Sequence, residues 1–111
     1  MTNYKFGEVV LVHFPQSGTT TRKRRPGIVV LDIGDADLVI APVTSKARVQ
    51  VGDIPIVGLT GTGLMRPSWV RLAKAATLLK TDVVRVLGRL PAGDRTQLAQ
   101  NWQKLYSDFV S

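Results

Sequence analysis

Val9-Val10-Leu11-Val12-His13-Phe14 constrains the fold of this chain most. The run is β-branched and apolar at nearly every position, so it reads as a strand buried on both faces. Pro15 and the polar loop after it end the strand. Ile28-Val29-Val30-Leu31 is a second apolar strand, and Leu38-Val39-Ile40-Ala41 is a third, stopped by Pro42. The short turn from Asp32 to Asp37, with Gly34 inside it, joins the second and third strands as a hairpin. At 111 residues the chain is long enough for one ordinary core and too short for two.

Further along, the strands weaken. Val51–Val57 carries two interior breakers, Gly52 and Pro55, and is an edge strand at best. Gly58-Leu59-Thr60-Gly61-Thr62-Gly63 is a Gly/Thr loop, and its spacing is no phosphate cradle because no helix follows. Ser68-Trp69-Val70-Arg71-Leu72 alternates, with Trp69 and Arg71 on one side. Thr77-Leu78-Leu79 and Val83–Leu90 complete the β-type segments. Asp94 then reads as a helix N-cap, with Gln97 completing a capping box. Leu98, Trp102, Leu105 and Phe109 recur on one helical face. The expected fold is mainly β with a C-terminal α-helix: one domain, residues 1–111, with a small bent sheet or barrel over about residues 4–90 and a helix over about 94–110.

Charge narrows the partners. Lys and Arg number 15 against 8 Asp and Glu, a net charge of +7, which favours acidic partners such as nucleic acid. Four cations, Arg22-Lys23-Arg24-Arg25, run directly into Pro26 and the second strand. Pro26 fits the first residue of a strand, so Arg25 is expected to be fixed while Arg22, Lys23 and Arg24 form a mobile cationic lid over a bound polyanion. The plainer reading is a solvated charged turn. Cysteine is absent, which excludes disulfides and thiolate metal sites and fits a cytoplasmic protein. No secretory leader is visible at the N-terminus, and no apolar run approaches a membrane span. The acids lack the spacing of a zinc site, so neither metal nor cofactor is expected.

The other candidate residues each carry two readings. His13, the one histidine, is a packed strand end or a reserve acid/base. Thr44 and Ser45 satisfy a turn or, beside Arg25, face a ligand. Lys46, Arg66, Arg71 and Lys74 are solvated charge or phosphate contacts. Trp69 is core or a base-stacking platform.

Taken in order, Gly7–Pro15, Arg25–Val30, Ala41–Ser45, Ser68–Leu72, Thr77-Leu78 and Gly88–Leu90 resemble the MazF/PemK family, toxins of type II toxin–antitoxin pairs. The resemblance implies a small SH3-like barrel of the MazF/PemK/CcdB type with a C-terminal helix, usually as a homodimer. It implies metal-independent, sequence-specific cleavage of single-stranded RNA, blocked by an antitoxin with an acidic tail. The Arg of the family's R-P motif falls on Arg25, the Thr of its A-x-[IV]-T motif on Thr44, and the basic residue of its V-[RK] segment on Arg71. Two features depart from the family. The position two after that Arg, acidic in some members, is Ala73, and the first loop lacks the His found in others.

RNA supplies its own nucleophile, the 2′-OH, so cleavage needs alignment, charge stabilisation and a proton for the leaving oxygen. Arg25 suits charge stabilisation. Thr44 would bond the phosphate or the 2′-OH. Arg22, Lys23, Arg24, Ser45, Lys46, Arg66 and Arg71 would bind RNA. A gyrase-inhibiting toxin of the same fold and a non-catalytic nucleic-acid-binding module are the alternatives. Trp69 and the Gly58–Gly63 loop are candidate walls for an apolar anchor of the antitoxin tail.

Overall fold

The computed structural model describes residues 2–15, 21–47 and 49–110. Within them lie strands β1 (Glu8–Pro15), β2 (Arg22–Leu31), β3 (Asp37–Thr44), β4 (Asp53–Pro55), β5 (Trp69–Arg71), β6 (Ala76–Leu79) and β7 (Val83–Arg89), followed by helix α1 (Ala92–Val110). All pairings are antiparallel, in the order β4-β5-β3-β2-β1-β7, with β6 also on β3. The first half of β3 pairs with β6 and its last two residues pair with β5. Between them a 3₁₀ turn, Leu72–Lys74, carries the chain along β3. The mainly β chain with a C-terminal helix is therefore what folds.

The pleat explains why β1 is apolar throughout. Successive side chains point to opposite faces of a strand. Val9 joins one core with Ile28, Ala41, Val43, Val70, Leu72, Leu90 and Leu98 of the helix. Val10, Val12 and Phe14 join a second core with Val29, Leu38, Ile40 and Leu78. Gly27 of β2 sits between Phe14 and Ile40, and a Cβ there would run into both side chains.

Three local expectations are corrected. First, Arg22, Lys23 and Arg24 are not a mobile lid. They belong to β2, in register with Pro15, Phe14 and His13, while the loop over residues 16–20 lies outside the described residues. Second, Pro26 is mid-strand, opposite Leu11. It is tolerated because the β3 ladder begins only at Gly27 against Pro42, so from Arg22 to Pro26 strand β2 pairs with β1 alone. Third, Asp94 is not the N-cap. The helix starts at Ala92, the Arg95 N–H donates to the Pro91 carbonyl at 2.9 Å, and the Asp94 carboxylate accepts from the backbone N–H groups of Val57 and Gly58 at 2.9 and 3.0 Å. Its partners are loop amides across the chain, which are orphan donors just as a helix terminus provides.

A buried ion pair closes the other end of the sheet. Lys80 Nζ meets Asp32 Oδ1 at 2.9 Å, with side-chain exposures of 8% and 2%. Asp32 also accepts from the N–H groups of Tyr4 and Gly34 at 2.7 and 2.8 Å. The Tyr4 amide first, and then Lys80, hold its carboxyl at about 2 against an ordinary 3.8. No helix of the described residues is long and apolar enough to cross a membrane.

Candidate nucleic-acid interface

Where the β2–β3 ladder stops, the two strands part. The β2–β3 ladder ends with Gly27 against Pro42, so Arg25 and Thr44, the next facing positions in that register, are not paired with each other, while Thr44 stays paired with Trp69 of β5 on the other edge of β3. The divergence opens a groove of about 460 Å³. One wall is polar: Lys23, Arg25 and Pro26 from β2, and Thr44, Ser45 and Lys46 at the end of β3. The other is largely apolar: Gly63, Leu64 and Met65 of the long loop, with Leu87 of β7. Arg66, Ser68 and Arg71 complete the lining. Met65 is 93% exposed, an apolar side chain standing free beside cations.

The loop is held in place by backbone and glycine geometry. The Arg89 N–H donates to the Gly61 carbonyl at 2.9 Å, and the Ile56 N–H to the Ser68 carbonyl at 2.9 Å. Gly63 has φ +76, and a Cβ there would meet the Leu87 carbonyl at 2.5 Å. Only glycine takes this conformation and this approach without cost. Ser68, buried, donates from Oγ to the Arg66 carbonyl at 2.8 Å and shapes the turn that carries Arg66.

The structure brings together Arg25, Thr44, Lys23, Ser45, Lys46, Arg66 and Arg71, and leaves out Arg22, Arg24 and His13. The pleat decides the division of the cationic run: Lys23 and Arg25, alternate residues, line the groove, while Arg22 and Arg24 do not. Arg22 instead makes a two-pronged pair with Asp82, Nη1 to Oδ1 at 2.8 Å and Nη2 to Oδ2 at 3.1 Å. That contact lowers the Asp82 carboxyl below its usual value, with a lesser contribution from the backbone N–H of Leu79. His13 is in register with Arg24.

Thr44 does what a strand-end threonine usually does: its Oγ1 accepts from the Lys46 N–H at 3.2 Å. Its hydroxyl proton keeps no described acceptor. Arg71 is paired as well, to Asp53 through Nε at 3.2 Å and to Gln50 Oε1 through Nη2 at 2.8 Å. Among the described residues, Lys23, Arg25, Lys46 and Arg66 have no carboxylate partner. The site is therefore a groove lined by four cations without a described carboxylate partner together with an apolar surface. That combination matches a phosphodiester chain whose bases are unstacked.

Sequence reasoning missed the apolar wall and the support of Arg71. Leu64, Met65 and Leu87 carry no local signal; they meet only because the loop crosses back to β7. Asp53 faces Arg71 through the β4–β5 register. Of the two walls proposed for an antitoxin anchor, Gly63 lines the groove and Trp69 does not. Among the described residues, no three His, Cys, Asp or Glu side chains converge on a common point.

Comparison with known proteins identifies the family and the fold. The family described as "PemK-like, MazF-like toxin of type II toxin-antitoxin system" matches residues 5–106. Among solved structures, Mycobacterium tuberculosis toxin MazF-mt6 superposes with a TM-score of 0.73 at 20% identity, over 90% of this chain and 96% of that one. MazF from Deinococcus radiodurans gives a TM-score of 0.75 at 19% identity, over 96% and 99%. An endoribonuclease in complex with its cognate antitoxin, from a mycobacterial species, gives 0.73 at 17% identity, over 92% and 93%. No curated protein matches the sequence.

Proposed function

The chain belongs to the PemK-like, MazF-like toxins of type II toxin–antitoxin systems, and from that premise we propose that it is a sequence-specific endoribonuclease that cleaves single-stranded RNA without a metal. The observation that carries this reading is that Arg25 and Thr44 line one groove where the β2–β3 ladder ends, together with further unpaired cations.

The reaction follows from the substrate. The ribose 2′-OH attacks the adjacent phosphorus, the bond to the 5′-oxygen breaks, and a 2′,3′-cyclic phosphate and a 5′-OH result. Negative charge builds on the non-bridging oxygens during attack. The Arg25 guanidinium, fixed on a paired strand, stabilises that charge and costs little reorganisation. Thr44 Oγ1 accepts from the Lys46 amide, and its hydroxyl hydrogen, which has no described acceptor, donates a hydrogen bond to a phosphate oxygen or to the 2′-OH. Lys23, Lys46 and Arg66 hold the flanking phosphates, and Ser45 offers a further hydroxyl at the rim. The bases rest against Leu64, Met65 and Leu87. His13 lies outside the groove lining and receives no role.

The partners follow the same chemistry. A cognate antitoxin would cover the groove with an acidic segment that competes with RNA, as a mycobacterial endoribonuclease of this fold has been crystallised with its antitoxin. The active species would be a homodimer working in the cytoplasm, where messenger RNA is met. The test is incubation of the purified protein with a long single-stranded RNA in EDTA. Discrete fragments ending in cyclic phosphate are expected. Intact RNA together with inhibited DNA supercoiling would overturn the nuclease reading in favour of gyrase inhibition. Intact RNA that is merely retained would reduce the protein to a binding module.

A further inference from the structure

Arg71 differs from the other cations of the groove. Its Nε and Nη2 are taken by Asp53 at 3.2 Å and Gln50 at 2.8 Å. These two nitrogens form one edge of the guanidinium, so Nη1 and the second Nη2 hydrogen remain as a free pair of parallel donors. The clamp is itself braced. The Gln50 N–H donates to Asp53 Oδ2 at 3.1 Å, and the Asp53 N–H to the Gln50 carbonyl at 3.0 Å. Asp53 is 2% exposed at its side chain and Arg71 19%. The turn between Gln50 and Asp53 passes through Gly52, whose carbonyl accepts the Leu72 N–H at 2.8 Å, tying it to the residue after Arg71.

A charge neutralised from behind adds little to the attraction of a phosphate chain, which Lys23, Arg25, Lys46 and Arg66 already supply. What Arg71 keeps is direction: two donors at fixed spacing on a side chain that cannot swing. Bidentate donors of this kind match the O6 and N7 acceptors of guanine. We propose that Arg71, held by Asp53 and Gln50, reads a guanine in the single-stranded RNA bound in the groove, with Asp53 as a positioning residue that never touches the RNA. The proposal rests on the RNA-cleaving function inferred above and assigns it a base-recognition site.

The experiment is selection of bound sequences from a random single-stranded 2′-fluoro RNA pool, which lacks the attacking hydroxyl. Wild type is compared with Arg71→Lys, Asp53→Asn, Gln50→Ala and the Arg71→Lys/Asp53→Asn double variant. Wild type should favour guanine at one position by roughly 5- to 150-fold over the other bases, the range for one good bidentate contact. Arg71→Lys keeps the charge and loses the fork, so that position should flatten while preferences elsewhere and the salt dependence stay as in wild type. Asp53→Asn should flatten it partly, and the double variant no further than Arg71→Lys alone. Gln50→Ala changes an exposed residue and should halve or better the preference without disturbing the fold, so the test stands even where Asp53→Asn unfolds. Guanine preference absent from an RNA-binding wild type, or surviving intact in Arg71→Lys, overturns the inference alone. No RNA retained by wild type at any salt overturns the functional reading and this inference with it.

Discussion

Replacing Lys23 by alanine should cost the protein one phosphate contact, and the salt dependence of RNA binding is where that loss is read. Each phosphate neutralised on a single strand adds about −0.7 to the slope of log affinity against log salt. The groove holds four cations without a described carboxylate partner: Lys23, Arg25, Lys46 and Arg66. The wild-type slope should then be roughly −2.8, so raising salt from about 50 to 200 mM should weaken binding about 50-fold. Lys23→Ala should bring the slope to about −2.1 and the same salt step to roughly 20-fold. Arg22, its neighbour, is already neutralised by Asp82 and stands outside the groove. Arg22→Ala should therefore leave the slope near wild type, even where it loosens the open end of the β1–β2 pair. The assay is fluorescence anisotropy of a labelled uncleavable RNA at four or five salt concentrations, with thermal melts to confirm folding. Equal flattening in Arg22→Ala and Lys23→Ala would refute the reasoning, because it would mean that the Asp82 pair does not decide which cations meet RNA.

Other outcomes follow from single contacts. Arg25→Ala should abolish RNA cleavage in gel assays while leaving the melting temperature within a few degrees, since the residue makes no described ion pair; a variant with half the wild-type turnover would remove it from the chemistry. Gly27→Ala should destabilise by about 1–3 kcal/mol through overpacking against Ile40 and Phe14, seen as a fall in the urea midpoint; an unchanged midpoint would show that the two cores yield there. Asp32 has a folded-state value of about 2, below its ordinary 3.8, so its contribution is full above about pH 4 and is lost as pH falls toward 2. Acid titration of wild type against Asp32→Asn should show that the pH-dependent difference is confined to this window.

The strands were legible because burial on both faces leaves a mark in composition: β1 needs apolar residues at every position when each face has its own core. The helix was legible for the opposite reason, through periodicity, yet only half of that periodicity is used. Leu98 is buried, whereas Trp102 is 39% and Phe109 70% exposed. The pattern shows which residues share a face and carries no information on how far the sheet beneath extends. Pairings between distant segments were not legible. Asp94 looks like a cap because Gln97 follows it, but loop amides 36 residues away compete for the same carboxylate and win. Asp32 with Lys80 and Asp53 with Arg71 depend on strand register in the same way.

The cationic run shows how one misplaced boundary changes a functional reading. With β2 beginning at Pro26, Arg22, Lys23 and Arg24 are three equivalent arms on a flexible loop, and only Arg25 has a defined position. With β2 beginning at Arg22, the same four residues alternate across a pleat. Lys23 and Arg25 then fall on the groove side together, and Arg22 is free to close on Asp82 of the neighbouring segment. Contiguous charge in a strand therefore divides into a groove-facing pair and a remainder, of which Arg22 is held by Asp82. Arg24, exposed beside His13 and outside the groove, is the test of that division. If the pleat governs, Arg24→Ala should leave both the salt slope and the cleavage rate as in wild type, although its formal charge is the same as that of Arg25 one residue later. A loss of affinity in Arg24→Ala as large as in Lys23→Ala would mean that RNA wraps over the strand to its other face, and the groove would no longer account for the whole binding surface.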